Sequence, residues 1–235
     1  MRSTRLRVAA VLFAAATAIA LAGCAQAQGN AGGGGTTSAS AHPLPSGTVG
    51  AAHLGDGYLV AGSGSRTLDT YIDPMCPICG AFESTNGKTI ADAAAAGTLT
   101  VRVHTMNFLD RASQGTAYST RADAALTCVA AREPDRMLDY LSALYANQPE
   151  EDSKGLSDDR LVTLAQGVGA DIRSCVKDGR YRNWVQSVND KALAGPVAGT
   201  PNNRIEGTPT VIVDGDMYNG SVTNAAAFKT FLAAH

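Results

Sequence analysis

Thr67-Leu68-Asp69-Thr70-Tyr71-Ile72-Asp73-Pro74-Met75-Cys76-Pro77-Ile78-Cys79 is the stretch on which the fold turns. Thr67 to Ile72 reads as a short strand, and it runs directly into Pro74-Met75-Cys76. From Ile78 the chain reads as a helix through Ala81, Phe82 and Ile90 to the alanine run at 93–96. Gly97 closes it, as glycine often does after a helix. A strand, a turn and a helix in this order place Cys76 near a helix N-terminus. Unpaired backbone N–H groups and the helix dipole there favour an anion. A thiolate is the species that attacks disulfides, and such a setting lowers a thiol pKa from about 8.5. Pro77 suits the first helical turn, where its missing N–H costs nothing. Cys79 lies one turn along, close enough to close a disulfide. Cys76 is therefore expected to be the exposed, attacking sulfur and Cys79 the more buried, resolving one.

Working outward, Tyr58 to Ala61 reads as another strand. Leu99, Val101 and Val103 alternate with Thr100, Arg102 and His104, the period of a half-buried strand. Met137, Leu138, Leu141, Leu144 and Tyr145 recur at helical spacing after Pro134, which suits a first helical position. Ser157-Asp158-Asp159 reads as a helix start, with Leu161, Leu164 and Ala165 facing inward. Trp184, Val185, Val188 and Ala192 make a further stripe, with Trp184 read as core. Thr210 to Val213 is a compact strand, Asp214-Gly215 a turn, and Met217-Tyr218 the start of a return strand. Ala225 to Ala234 reads as a closing helix. The order is α/β and thioredoxin-like, with a helical insertion of roughly ninety residues at about 107–196.

The N-terminus sets the compartment. Arg2, Arg5 and Arg7 precede an apolar run from Val8 to Ala20 that is short for a membrane span. The run ends in Leu21-Ala22-Gly23-Cys24, which resembles the bacterial lipobox. That resemblance implies removal of residues 1–23 as a signal peptide and lipidation (palmitate) of Cys24, giving a lipoprotein on the outer side of the bacterial cell membrane. An ordinary secretory signal cleaved nearby is the alternative. Either way the chain works where disulfides persist. Residues 24–46, rich in Gly, Ser, Thr and Ala, read as a flexible tether. Residues 47–235 suit one domain. The formal net charge is −2, and no basic run lies outside the signal, so nucleic-acid binding has no electrostatic footprint. No glycine-rich phosphate loop, H-E-x-x-H pair or internal repeat is present.

The five cysteines read as one modified residue, one redox pair and one structural pair: Cys24, Cys76 with Cys79, and Cys128 with Cys175. A zinc site would need a second ligand pair beside the C-x-x-C. Cys128 and Cys175 stand apart, and His42, His53, His104 and His235 are scattered. A copper carrier could use Met75, the two thiols and His104 or Met106, but the spacing fits redox chemistry better. No metal and no cofactor is expected.

A second signal is Ile205-Glu206-Gly207-Thr208-Pro209-Thr210. With Cys76-Pro77-Ile78-Cys79 it resembles the DsbA-like thioredoxin family over about Thr67 to the C-terminus. Gly199-Thr200-Pro201 competes, but loop-like Asn202-Asn203-Arg204 follows it. The resemblance implies that Pro209 is a cis proline facing the disulfide. Thr208 would offer its backbone edge to a substrate peptide, and Asp73 matches a common family aspartate. It further implies a thiol–disulfide oxidoreductase that introduces disulfides into exported proteins. A membrane oxidase of the DsbB-like or VKOR-like kind would reoxidise it. Alternatives are a disulfide reductase or isomerase, or a non-catalytic lipoprotein that binds metal or protein on this scaffold. Two departures bear on the redox potential. Thr70 stands where the family often has an acidic residue, six positions before the first cysteine. Ile78 stands in the dipeptide where strongly oxidising members often carry histidine. Cys128 and Cys175 fall in the helical insert, where some DsbA-like proteins have a disulfide. In an oxidising compartment they are expected to bond, with two buried free thiols as the alternative.

Overall fold

The computed structural model describes residues 44–235. The expected signal peptide, Cys24 and most of the expected tether lie outside those residues. Among the described residues no helix is long and apolar enough to cross a membrane.

The sheet is built around β4 (Arg66–Ile72) and β5 (Leu99–Thr105), which pair in parallel from Arg66 with Leu99 to Ile72 with Thr105. Parallel neighbours need a crossover, and α1 (Pro77–Ala95) supplies it. β5 buries every second residue, Leu99, Val101, Val103 and Thr105, as its alternation requires. On the other side of β4, β6 (Thr210–Val213) pairs antiparallel, and β7 (Asp216–Met217) follows it across a two-residue turn. Asp214 and Gly215 both hold positive φ there, 47° and 94°, the geometry of a tight hairpin. β1 (Thr48–Val49), β2 (Ala52–His53) and β3 (Tyr58–Ala61) extend the sheet beyond β5, giving the order β1-β2-β3-β5-β4-β6-β7. β1 and β2 are two-residue strands, too short to leave a periodic signal in the sequence.

Between β5 and β6 lie α2 (Tyr118–Arg132), α3 (Met137–Ala146), α4 (Asp158–Gly167), α5 (Arg173–Lys177) and α6 (Arg182–Ala194). This is the expected insertion. Pro134 opens a 3-10 turn at 134–136 that precedes α3, rather than α3 itself. Ser157 caps α4, its hydroxyl accepting from the Arg160 N–H at 3.2 Å. Trp184 is buried and donates its indole N–H to the Leu54 carbonyl at 2.9 Å. α7 (Ala225–Ala234) closes the chain, placing Phe228 edge-on to Phe82 of α1, with ring centroids 5.2 Å apart. One face of the sheet carries Thr70, Ile72, Val101 and Val103 toward α1 and α3. The other sets Tyr71 and Ile212 against Ala192 of α6 and Ile205.

Cys128 of α2 and Cys175 of α5 are joined, with Cα atoms 6.1 Å apart and a sequence separation of 47. A cross-link over that separation stabilises the fold by about 4 kcal/mol through the unfolded chain. A Cys128→Ser/Cys175→Ser double variant is expected to lose about that much in denaturant unfolding. It should keep the Cys76 and Cys79 chemistry intact, because the bond lies inside the insert.

Candidate active site

β4 ends at Ile72, and the chain turns through Asp73-Pro74-Met75 before Cys76 starts α1. The Cys76 N–H donates to the Asp73 carbonyl at 3.0 Å, and the Gly80 N–H returns to the Cys76 carbonyl at 3.1 Å. Cys76 is the N-cap, with extended φ and ψ of −71° and 116°, and Pro77 occupies the first helical turn. No side chain caps this end of α1, so the N–H groups of Ile78 and Cys79 are free to stabilise the Cys76 sulfur.

The two sulfurs sit in different surroundings. Cys76 is 7% exposed and Cys79 1%. An exposed Cys76 was the expectation; the structure leaves it only a small opening, because Thr208 lies against it. The Cys76 Sγ is 3.4 Å from the Thr208 carbonyl oxygen. The Cys76 pKa is lowered to about 6, first by a hydrogen bond from the Cys79 thiol. Thr208 and the Cys79 and Ile78 N–H groups add to this, and burial opposes it. Burial, with donation to Cys76, pushes the Cys79 thiol well up. Cys79 therefore stays a thiol and donates, while Cys76 becomes the thiolate. The Thr208–Pro209 peptide bond is cis. Gly195–Pro196 is also cis and lies in the loop after α6. Ile78 is 54% exposed beside Cys76, an apolar side chain without charge.

Asp73 holds this turn in place. Its Oδ1 accepts from the Met75 N–H at 2.8 Å and the Ser119 hydroxyl at 2.6 Å, and its Oδ2 from the Leu109 N–H at 2.9 Å. Its carbonyl also accepts from the Tyr145 hydroxyl at 3.1 Å. The turn is thereby fixed to α2, to α3 and to the 3-10 segment at 108–112. Burial raises the Asp73 pKa to about 6 against those three hydrogen bonds. Gln148, just past α3, spans the turn from the other side. Its Nε2 donates to the Pro74 carbonyl at 3.0 Å and the Cys76 carbonyl at 2.9 Å. A Cβ on residue 80 would collide with the Gln148 carboxamide, so glycine at that position leaves room for the contact. The sequence marks Asp73 as a site residue and Tyr145 only as part of a helical stripe, and it does not mark Ser119 or Gln148 at all. Ser119, Tyr145 and Gln148 lie 46, 72 and 74 residues from their partners, and no motif marks them.

Cys76, beyond the end of β4, thus meets Thr208, whose bond to Pro209 is cis. Cys128 and Cys175 lie elsewhere, in the insert. His104 faces the opposite side of the sheet, stacked on Tyr71 and 2.7 Å from Asp69. Among the described residues, no group of three or more His, Cys, Asp or Glu side chains is arranged to hold a metal ion.

A family model described as thioredoxin matches residues 61–233. The chain belongs to the DsbA-like thioredoxin-fold family. Within that family, the chain is 30% identical to a Mycobacterium tuberculosis disulfide bond oxidoreductase (DsbG) solved in reduced form. That match has a TM-score of 0.60 over 72% of this chain and 77% of the other. Reduced DsbA from the same organism is 25% identical, with a TM-score of 0.59 over 76% and 98%. MdbA from Actinomyces oris, a thiol-disulfide oxidoreductase, is 18% identical and shares the fold, with a TM-score of 0.64 over 80% and 93%. The serine/threonine-protein kinase PknE of M. tuberculosis is 39% identical over 159 residues, 63% of this chain. The chain spans 28% of the length of that curated relative. The M. tuberculosis DsbG and A. oris MdbA to which this chain is similar are described as a disulfide bond oxidoreductase and a thiol-disulfide oxidoreductase.

Two variants test the architecture. Gln148→Ala is expected to cost about 1–2 kcal/mol, since it strips the donor from two carbonyls of the turn. Asp73→Asn is expected to show a pH-dependent deficit against the wild type. A raised folded-state pKa means that the stability due to the protonated carboxyl is present below the unfolded value of 3.8 and is lost as pH rises through about 6. The wild type's advantage over Asp73→Asn in chemical denaturation is therefore largest at about pH 4 and shrinks toward pH 7.

Proposed function

We propose that the protein is an extracytoplasmic disulfide donor that acts on exported proteins through Cys76 and Cys79. The unequal environment of the two sulfurs, one turn apart beside Thr208–Pro209, carries this reading. A substrate thiolate attacks the Cys76 Sγ of the oxidised protein. The Cys76–Cys79 bond breaks, and Cys79 leaves with the electron pair and takes a proton. The substrate's second thiolate then attacks its own sulfur in the mixed disulfide and expels Cys76 as a thiolate. The substrate loses two electrons, and the protein is left as the dithiol. A stabilised Cys76 thiolate is a good leaving group, and it makes the dithiol the favoured product.

Thr208 would bind the substrate backbone by its peptide edge, and exposed Ile78 would contact apolar side chains. A quinone-linked membrane oxidase of the DsbB-like or VKOR-like kind would take the two electrons. Lipidation of Cys24 would keep the domain near that oxidase on the outer side of the membrane, with residues 24–46 as tether and 47–235 as the working domain. The 30% identity to the M. tuberculosis disulfide bond oxidoreductase DsbG supports the reaction class.

A second reading, reductase or isomerase, uses the same sulfurs. Ile78 without charge and Thr70 without a carboxylate favour a milder potential than that of histidine-containing members. Equilibration with glutathione decides the direction. A potential above thioredoxin's value of about −270 mV is expected for a donor, and one at or below it would assign the chain to the reductive side. In the same preparation, Cys79→Ser should accumulate mixed disulfides at Cys76, and Cys76→Ser should form none. Adducts on Cys79 in place of Cys76 would reverse the assignment of the nucleophile.

A further inference from the structure

We infer that Glu83 carries the proton that Cys79 exchanges, through a cavity between α1, β4 and α3. The inference rests on the exchange reaction proposed above. When the Cys76–Cys79 bond breaks, the electron pair falls on a sulfur that is 1% exposed. An unprotonated thiolate there is costly, so the step needs a proton donor near Cys79. The strand position six residues before Cys76 is Thr70, which cannot serve as a carboxylic acid. Its hydroxyl is buried and has no hydrogen-bond partner.

The cavity of about 310 Å³ beneath α1 is lined by both Thr70 and Cys79, and Glu83 reaches it from α1. Four residues past Cys79, Glu83 lies one turn along on the same helical face. Gly87 lies one turn further. A Cβ there would collide with the Glu83 carboxylate. Glycine weakens a helix interior, and at this place it makes room for the acid. Among the described residues nothing hydrogen-bonds the Glu83 carboxyl. The cavity has space for several waters, enough to join Glu83 to Cys79 and to the unpartnered Thr70 hydroxyl.

The other charged and titratable groups at the cavity are already engaged. Lys88 pairs with Asp92 at 2.7 Å, and Asp139 with Arg136 at 3.5 Å. The Tyr145 hydroxyl donates to the Asp73 carbonyl. β5 contributes only Val101 and Val103, and β4 adds Ile72 to Thr70. Burial alone raises the Glu83 pKa to about 7, so near neutrality it can both give and take a proton. In the oxidising direction the Glu83 carboxylic acid gives its proton to the leaving Cys79 sulfur, and water entering past Ser142 restores it. In the reverse direction the carboxylate takes the Cys79 proton as that sulfur attacks Cys76.

The test is the rate at which dithiothreitol reduces the oxidised full-length protein, compared between wild type and Glu83→Gln from pH 5 to 9. The ratio of the two rates removes the reagent's own titration. The ratio is expected to be on the order of tenfold to a hundredfold below pH 7, where Glu83 is protonated, and to fall toward one above pH 8. Thr70→Glu in the Glu83→Gln background should restore the rate from the strand side. A ratio of one throughout, or one that does not change with pH, would overturn the relay. Carbon-13 titration of Glu83 in the wild-type chain needs no turnover. A neutral midpoint that differs between dithiol and disulfide forms supports the relay, and a midpoint near the ordinary carboxylate value of about 4 in both forms overturns it. Absence of cysteine-dependent exchange in the wild type would sink the proposed reaction, and the Glu83 titration would still report on the acid.

Discussion

The hydrogen bond from the Cys79 thiol to the Cys76 sulfur is the interaction on which the site depends. It is the largest cause of the low Cys76 pKa, and Cys79 can donate it only while its own proton is held by burial. Each sulfur thus sets the state of the other. The helix N-terminus adds N–H groups on the Cys76 side, and the core withholds water on the Cys79 side. Pulling a pair of like groups to opposite protonation states in this way prepares a nucleophile and a proton-bearing partner 3 residues apart in sequence.

That asymmetry requires a turn that does not move. Asp73 and Gln148 supply it from opposite sides, and both reach across the helical insertion: to Ser119 of α2, to Tyr145 of α3 and from the loop behind α3. The insertion therefore does more than enlarge the domain. It provides the groups that satisfy the carbonyls and the buried carboxylate between β4 and α1, which would otherwise be left without partners in a dry interior. The disulfide between Cys128 and Cys175 ties α2 to α5 within the same layer.

Much of the fold was legible in the sequence because its central elements bury one face in a regular period. The alternation of Leu99, Val101 and Val103 located β5, and the compact run from Thr210 to Val213 located β6 with its Asp214-Gly215 turn. α7 was read to both of its ends, Ala225 and Ala234. β1 and β2 were not legible, since two residues carry no period. At the site, the C-x-x-C and Gly207-Thr208-Pro209 segments were visible as local motifs, and the structure sets Cys76 against Thr208 132 residues away. The exposure of Cys76 was misread, because what covers it comes from that distant loop. Gln148 was invisible for a related reason, since it acts through carbonyls 74 and 72 residues away in sequence.

The reactivity of the site depends on the state of the two thiols in the reduced protein. Ultraviolet titration of thiolate absorbance in the full-length dithiol form measures it directly. One sulfur should ionise at about pH 6, and that step should vanish in Cys76→Ser; the second should stay protonated well above the ordinary thiol range. Two sulfurs ionising together near the ordinary thiol value of about 8.5 would contradict the account.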